Sequence, residues 1–437
     1  MEYKFGDKIK LILQDNEEIT GMYVPSKDKC FIVIKLDSGY NMTIDKKNIK
    51  STKLITANKQ KKPVVTEIKQ DDSLPLIYIL HIGGTIASKV DYKTGGVSAQ
   101  IESSELLNMI PELKKLARIE TKVLFNILSG NVRFEHFNVI AKEILEILEH
   151  ENIAGVIVSH GTDTMHYSSA GLSFILQNIK IPVVFVGSQR SSDRPSSDSI
   201  LNVVSAAEFI VDQTKRKDSY TGVFASMHGS SNDTFCSIYS GFNLRKMHSS
   251  RRDTFRQINS LPIAKVENSK IEYLDLEESD EVLPLFEPAY FRTDIKIGII
   301  RAHPNMFAEE ISKYEDFDGL IIEGTGLGNM PVELDGKITN ENKRILNALT
   351  QFTKKKPVVI TTQCINGSTN LNVYSYGRTV KNAGILEAEA TITETAFIKL
   401  AWLLSNFSYS EIKNEMWQRN FIGEKISRDL YEKNWCD

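Results

Sequence analysis

The chain has 437 residues, 41% hydrophobic, 25% charged and 9% aromatic, which excludes a disordered or collagen-like polypeptide and gives length for two or three domains. A formal charge of -3 and a pI near 6.3 argue against electrostatic binding of nucleic-acid backbones as its main work. Cys30, Cys236, Cys364 and Cys436 lie too far apart to suggest a zinc site or a disulfide framework; with no apolar leader and no run of the ~20 residues that span a bilayer, the expected location is the cytoplasm.

In chain order, residues 8–13, 19–25, 31–36 and 40–44 are short apolar runs separated by Asp-Asn, Pro-Ser-Lys-Asp and Asp-Ser-Gly, the pattern of successive hairpins. They predict a small β-barrel of the SH3 or Sm type over residues 1–60. From Lys46 to Gln70 lysine is frequent and apolar periodicity fades, which is a linker composition, and 61–74 is assigned as the linker itself. Leu76-Ile77-Tyr78-Ile79-Leu80-His81-Ile82 then forms a nearly continuous apolar run, suited to a strand buried on both faces, and it ends in Gly83-Gly84-Thr85. The polar stretch 89–100, which contains Tyr92, has the composition of a surface loop able to close over a site.

An amphipathic segment at 103–116, a strand at 122–128 and a helix at 136–150 follow. Next, Val156-Ile157-Val158-Ser159 runs into His160-Gly161-Thr162-Asp163-Thr164-Met165, where a helix over about 164–177 begins. A strand at 183–186, a helix at 202–211 and a strand at 221–228 continue the alternation. Residues 242–256 read as a polar loop rich in Arg, Lys and Ser, and 262–290 as charged and connective. Strands at 295–300, 319–322 and 357–362, helices at 307–314 and 339–352, a last helix at 393–404 and a polar tail complete the chain. Strands alternating with helices imply βαβ units and a mostly parallel sheet. The predicted organisation is a barrel (1–60), a linker (61–74), two α/β domains (75–285 and 286–410) and a tail (411–437).

The chemistry-bearing residues gather at strand ends, where open α/β sheets place their ligands. Thr85 and Thr162 each follow a strand and a glycine, so both face one crevice if their strands are neighbours. A threonine hydroxyl is a weak nucleophile and needs a base. Asp163 is next to Thr162, but neighbours on a turn point apart, so it requires a third group to take part; a lysine held neutral by burial and oriented by a carboxylate would serve. Lys246, in Asn243-Leu244-Arg245-Lys246-Met247-His248, is the candidate, although a lysine in a polar loop is ordinarily solvated surface. His81 and His160 lack metal-ligand spacing and read as structural. Neither Gly83-Gly84 nor Gly324-Thr325-Gly326-Leu327-Gly328 carries a nucleotide-loop signature.

Ile82-Gly83-Gly84-Thr85-Ile86-Ala87, Ser159-His160-Gly161-Thr162-Asp163-Thr164-Met165 and Val186-Gly187-Ser188-Gln189-Arg190, in this order, resemble the three hallmark segments of the bacterial-type asparaginase/glutaminase family, over about residues 75–405. Within it, the likeness is to the glutaminase subunits of archaeal-type glutamyl-tRNA(Gln) amidotransferases. It is carried by the amino-terminal barrel, the Lys246-to-Asp253 segment and the carboxyl-terminal extension. The resemblance implies the family's two-domain parallel α/β fold behind the barrel. It implies catalytic roles for Thr85, Thr162, Asp163 and Lys246, with Tyr92 placed like the loop tyrosine that activates the first threonine and Ser129 like the serine that holds the substrate's α-carboxylate. Gly130 departs from the glutamine that often follows that serine. The implied reaction releases ammonia from glutamine, with no metal or cofactor on this chain. A partner subunit, GatE, would use ATP and Mg to activate and amidate Glu-tRNA(Gln), and a homodimer of this chain within a heterotetramer is the implied assembly. The alternatives are a stand-alone L-asparaginase with an added barrel, and a catalytically silent RNA-binding or scaffold protein on the same fold.

Overall fold

The structure, a computed structural model, describes residues 3, 6–26, 28, 30–36, 41–57, 70–84, 89–90, 97–98, 103–149, 153–190, 197–274, 281–285, 287–334, 338 and 340–426. At the amino terminus, strands Lys8–Leu13, Glu18–Val24, Phe31–Lys35, Asn41–Asp45 and Ile49–Thr56 form an antiparallel sheet in which the first strand pairs with both the second and the fifth. It curls around a core of its own, Ile9, Leu11, Ile19, Ile32, Ile34 and Ile44. The fifth strand lies within residues 1–60 but in the stretch whose composition reads as linker. Only Ile49 of its residues is even half-buried, so it carries no inward-facing period to betray it.

The central sheet has eight strands in the order Lys270–Tyr273, Ala264–Glu267, Cys236–Ser240, Gly222–His228, Pro182–Val186, Ile153–Ser159, Leu76–Gly83 and Arg118–Ile127. The last five run parallel and the first three extend the sheet antiparallel. Every residue of Leu76–Gly83 is buried, because alternate side chains serve two different layers. Leu76, Tyr78, Leu80 and Ile82 pack on helices Phe134–Ile147 and Met165–Ile175, whereas Ile77 and Ile79 pack on Ser103–Met109, Leu113–Leu116 and Ser199–Gln213. Burying each such side chain contributes about 1.5–3 kcal/mol, which is why a strand covered on both faces reads as an unbroken apolar run.

A second, all-parallel sheet, Ile297–Arg301, Gly319–Gly324, Val358–Thr362 and Leu386–Glu387, follows the same logic. Leu320, Ile322, Val358 and Ile360 face helix Asn340–Thr353, while Ile321 and Val359 join helix Thr393–Asn406 in the core of the first sheet. Three segments differ from their sequence-based expectation. The polar loop at 242–256 holds strand Leu244–Lys246, paired with Phe255–Gln257, with Leu244 and Phe255 buried. Residues 262–290 hold two strands of the central sheet. The tail is docked through residue 426: Trp417 and Phe421 are buried against Trp402, whose ring lies 4.9 Å from that of Phe421. Each piece is short or polar, so its partners, not its own pattern, fix its conformation. Among the described residues, no helix is long and apolar enough to cross a membrane.

Candidate active site

Ser159 stands opposite His81 on one side and Val186 on the other, so three parallel strands stop at one level and their outgoing turns meet. Gly84, at φ 82°, occupies a backbone region that side chains rarely adopt, and an added Cβ would lie 3.0 Å from the carbonyl of His160. Gly187, at the end of the third strand, makes room for Thr162: a Cβ there would stand 2.8 Å from Thr162 Cγ2. Thr162 is thereby buried, while Asp163 faces outward. The turn leads directly into helix Met165–Ile175, whose amino-terminal dipole favours negative charge in the opening.

Lys246 spans the two faces of that turn. Its Nζ donates to Thr162 Oγ1 at 2.8 Å and to Asp163 Oδ1 at 2.7 Å. The lysine side chain is only 11% exposed and the aspartate 77%, so the lysine nitrogen is enclosed beside the hydroxyl and the carboxylate stands at the opening. The candidate lysine is therefore no solvated surface residue. Its hairpin turn is cross-braced: Met247 N donates to Thr254 O at 2.7 Å, and Ser250 N and Arg251 N both donate to His248 Nδ1 at 3.1 Å. The Arg251 guanidinium forks onto Asp253 at 2.9 and 2.8 Å and holds that carboxyl below the usual carboxylate range.

Ser129, just past strand Arg118–Ile127, is buried at the same turn; a Cβ on Gly161 would lie 2.7 Å from Ser129 Oγ, and Thr164 Oγ1 donates to Ser129 O at 2.7 Å. A Cβ on Gly130 would meet nothing within 4 Å, so no steric demand explains the glycine there. Thr162, Asp163, Lys246 and Ser129 thus converge, whereas Thr85 and Tyr92 lie outside the described residues. Among the described residues, no cluster of His, Cys, Asp or Glu is placed to hold a metal.

Three buried histidines surround the turn. His81 Nδ1 and Ser159 Oγ are 2.9 Å apart, and burial pushes the imidazole down to about 4. His160 is likewise pushed down to about 4 by burial, against a hydrogen bond to Gly161 O that raises it. His166 reaches about 4 through burial first and then through the charges of Arg245 and Lys246. All three are neutral near pH 7.

Sequence reasoning missed Asp198. Buried completely, its carboxylate accepts from Ser188 Oγ at 2.8 Å, Gln189 N at 3.0 Å and Arg190 N at 2.9 Å, and so shapes the turn after the third strand. Its place immediately before the apolar period of helix Ser199–Gln213 is a helix-cap signal, yet the side chain serves the turn instead. Asn202 on that helix donates to Gly187 O at 3.0 Å, and its Oδ1 lies 2.7 Å from His228 Nδ1. His228 Nε2 and Asp233 are 3.2 Å apart, and Arg252 of the Lys246 hairpin pairs with the same aspartate.

Residues 76–278 match the family profile described as asparaginase, N-terminal, and residues 296–416 that of the glutaminase/asparaginase C-terminal domain. Residues 3–55 match the GatD N-terminal domain. The D subunit of glutamyl-tRNA(Gln) amidotransferase from Methanococcus maripaludis is 38% identical over 428 residues, covering 96% of this chain and 97% of the relative. Its counterpart from Pyrococcus furiosus is 38% identical over 432 residues, covering 96% and 94%. Among solved structures, the thermostable L-asparaginase from Thermococcus kodakarensis is similar with a TM-score of 0.69 at 27% identity, covering 81% of this chain and all of that one.

Proposed function

Because the chain belongs to the family of glutamyl-tRNA(Gln) amidotransferase D subunits, we propose that it is the glutamine amidohydrolase half of that enzyme, releasing ammonia from glutamine for a partner subunit to use. The observation that carries the chemistry is the single lysine nitrogen within hydrogen-bond reach of both Thr162 Oγ1 and Asp163 Oδ1. Across that contact Lys246 acts as the base that takes the proton from the Thr162 hydroxyl, and Asp163 offsets the positive charge that forms. A threonine oxygen attacks the side-chain amide carbon, the C–N bond breaks, and ammonia leaves with the proton the relay returns. Water then hydrolyses the ester to glutamate. Backbone N–H groups at the glycine turns and the start of helix Met165–Ile175 favour the oxyanion. In this reading Thr85 acts as the first catalytic threonine, Tyr92 as the loop tyrosine that activates it, and Ser129 as the serine that receives the α-carboxylate.

The chain needs no metal or cofactor for this reaction; ATP and Mg belong to the partner, GatE, which activates and amidates Glu-tRNA(Gln). We assign the chain to the cytoplasm, as a homodimer within a heterotetramer with GatE. The match of residues 3–55 to the GatD N-terminal domain favours this reading over a stand-alone L-asparaginase. Ammonia release from glutamine and from asparagine, measured with and without GatE and Glu-tRNA(Gln), tests it. Glutamine hydrolysis stimulated by the partner and the tRNA is expected; strong asparagine turnover by the lone chain, unmoved by either, would overturn it. Trapping the acyl-enzyme with a reactive glutamine analogue and mapping the modified residue identifies which threonine is the nucleophile.

A further inference from the structure

Three residues before Lys246, Asn243 is fully buried with φ 49°, in the left-handed region. Each of its polar groups has a partner, and three of the four come from the far end of the chain. Asn243 N donates to Thr395 Oγ1 at 2.9 Å, its Nδ2 donates to Glu424 O at 2.9 Å, and its Oδ1 accepts from Ile392 N at 3.3 Å. The fourth, its carbonyl, accepts from Ile258 N at 2.8 Å. Two residues on, Arg245 Nε lies 3.5 Å from Glu394 Oε1, in the first turn of the same helix that carries Thr395. Asn243, just before the strand that ends at Lys246, and Arg245 within it are therefore fastened to helix Thr393–Asn406 and to the segments on either side of it.

The segment after that helix is itself locked by a buried ion pair. Lys399 and Glu424 side chains are 2% and 0% exposed, with Nζ 2.6 Å from Oε1. Lys399 also donates to Arg419 O at 2.8 Å, and the other carboxylate oxygen accepts from Phe421 N at 3.1 Å and Ile422 N at 3.0 Å. The C-terminal family profile ends at residue 416, so Arg419 to Glu424 lie beyond it. A buried ion pair is a costly way to hold a chain where apolar packing would give equal stability, and its best use is to fix one geometry among several.

We infer that Asn243, held by the segment that the Lys399–Glu424 pair locks in place, is a positioning residue for Lys246, so that the carboxyl-terminal extension sets the reach of the relay. A lysine nitrogen hangs on four rotatable bonds beyond the strand, and the double contact to Thr162 and Asp163 survives only if the strand's base stays still. A displacement of about 1 Å at the reacting groups costs on the order of 10²-fold in rate. The inference rests on the relay proposed above.

The test is steady-state ammonia release against pH by the full-length chain and its variants, with thermal melts. The amide is whichever of glutamine or asparagine the wild type hydrolyses, so an error about the substrate leaves the outcome for Asn243 readable. Asn243→Gly keeps the left-handed backbone and removes only the side-chain ties. It is expected to lower kcat about 10- to 100-fold with KM within about twofold, to shift the pH–rate profile, and to leave the melt within a few degrees of wild type. Thr395→Ala, which removes only the hydroxyl that accepts from Asn243 N, is expected to give the same split at smaller size. A purely structural role would lower the folded fraction and leave kcat per titrated active site and the pH profile unchanged. That result, or wild-type kinetics in both variants, overturns the inference.

Discussion

Thr162 and Asp163 are adjacent in sequence yet lie in different surroundings, one buried and one exposed, and a lysine 84 positions after the threonine joins them. In the relay proposed above, each variant that removes one member breaks the same proton path. Thr162→Val, Asp163→Asn and Lys246→Ala are each expected to lower kcat for ammonia release by about 10² to 10⁴ while leaving the melting temperature close to wild type. The Thr162→Val/Lys246→Ala double variant should be no worse than the poorer single one, because the two act as a unit. Steady-state kinetics on the four proteins checks this, and near-normal activity in any single variant removes that residue from the relay. Thr162 and Asp163 were legible because they follow a strand and a glycine, whereas Lys246, in a polar stretch, was a candidate only because that pair needs a third group. Asp198 and Asn243 were not, because most of their partners are backbone atoms or single hydroxyls, and the carbonyl of Glu424 lies 181 positions from Asn243. No local pattern announces such a bond.

Among elements, the parallel strands showed themselves because burial on both faces leaves an unbroken apolar run, as in Leu76–Gly83. The antiparallel strands Ala264–Glu267 and Lys270–Tyr273, four residues each, and the three-residue arm that carries Lys246 are too short and too polar for periodicity to detect. Where a strand ends matters as much as what it buries. Gly187 terminates Pro182–Val186, and a Cβ there would stand 2.8 Å from Thr162 Cγ2 and 3.2 Å from His160 O. The backbone carbonyl blocks one direction of escape, so the methyl must displace the threonine. Gly187→Ala is expected to lower kcat on the order of 10²-fold with the far-ultraviolet circular dichroism unchanged. A wild-type kcat would show that the turn yields without moving Thr162 Oγ1 away from Lys246.

Across the whole molecule, helix Thr393–Asn406 belongs to the second α/β unit by sequence and to the first by packing, so both sheets share one core. The first sheet and its helices also enclose His81, His160 and His166, and this gives the fold a pH limit of its own. Burial holds all three imidazoles at about 4, against an ordinary 6.5. In the unfolded chain they bind protons first, so their contribution is complete above pH 6.5 and is lost as pH falls from about 6.5 toward about 4. Each is worth about 3 kcal/mol at most, and the three together approach the whole stability of a typical domain, about 5–15 kcal/mol. Glu394 works in the opposite sense: burial raises its carboxyl, so acidification favours the folded chain through that one group. Carboxylates held low by arginine, such as Asp253, withdraw their contribution only at lower pH. The urea midpoint is therefore expected to fall steadily between pH 6.5 and 4.5, before most carboxylates titrate. His166 lies against Tyr167 and feels Arg245 and Lys246, so activity should fail with the fold in that range. Equilibrium unfolding at pH 7.5, 6.5, 5.5 and 4.5 measures this, and a midpoint that stays flat below pH 6.5 would mean that these histidines are protonated without cost inside the native fold.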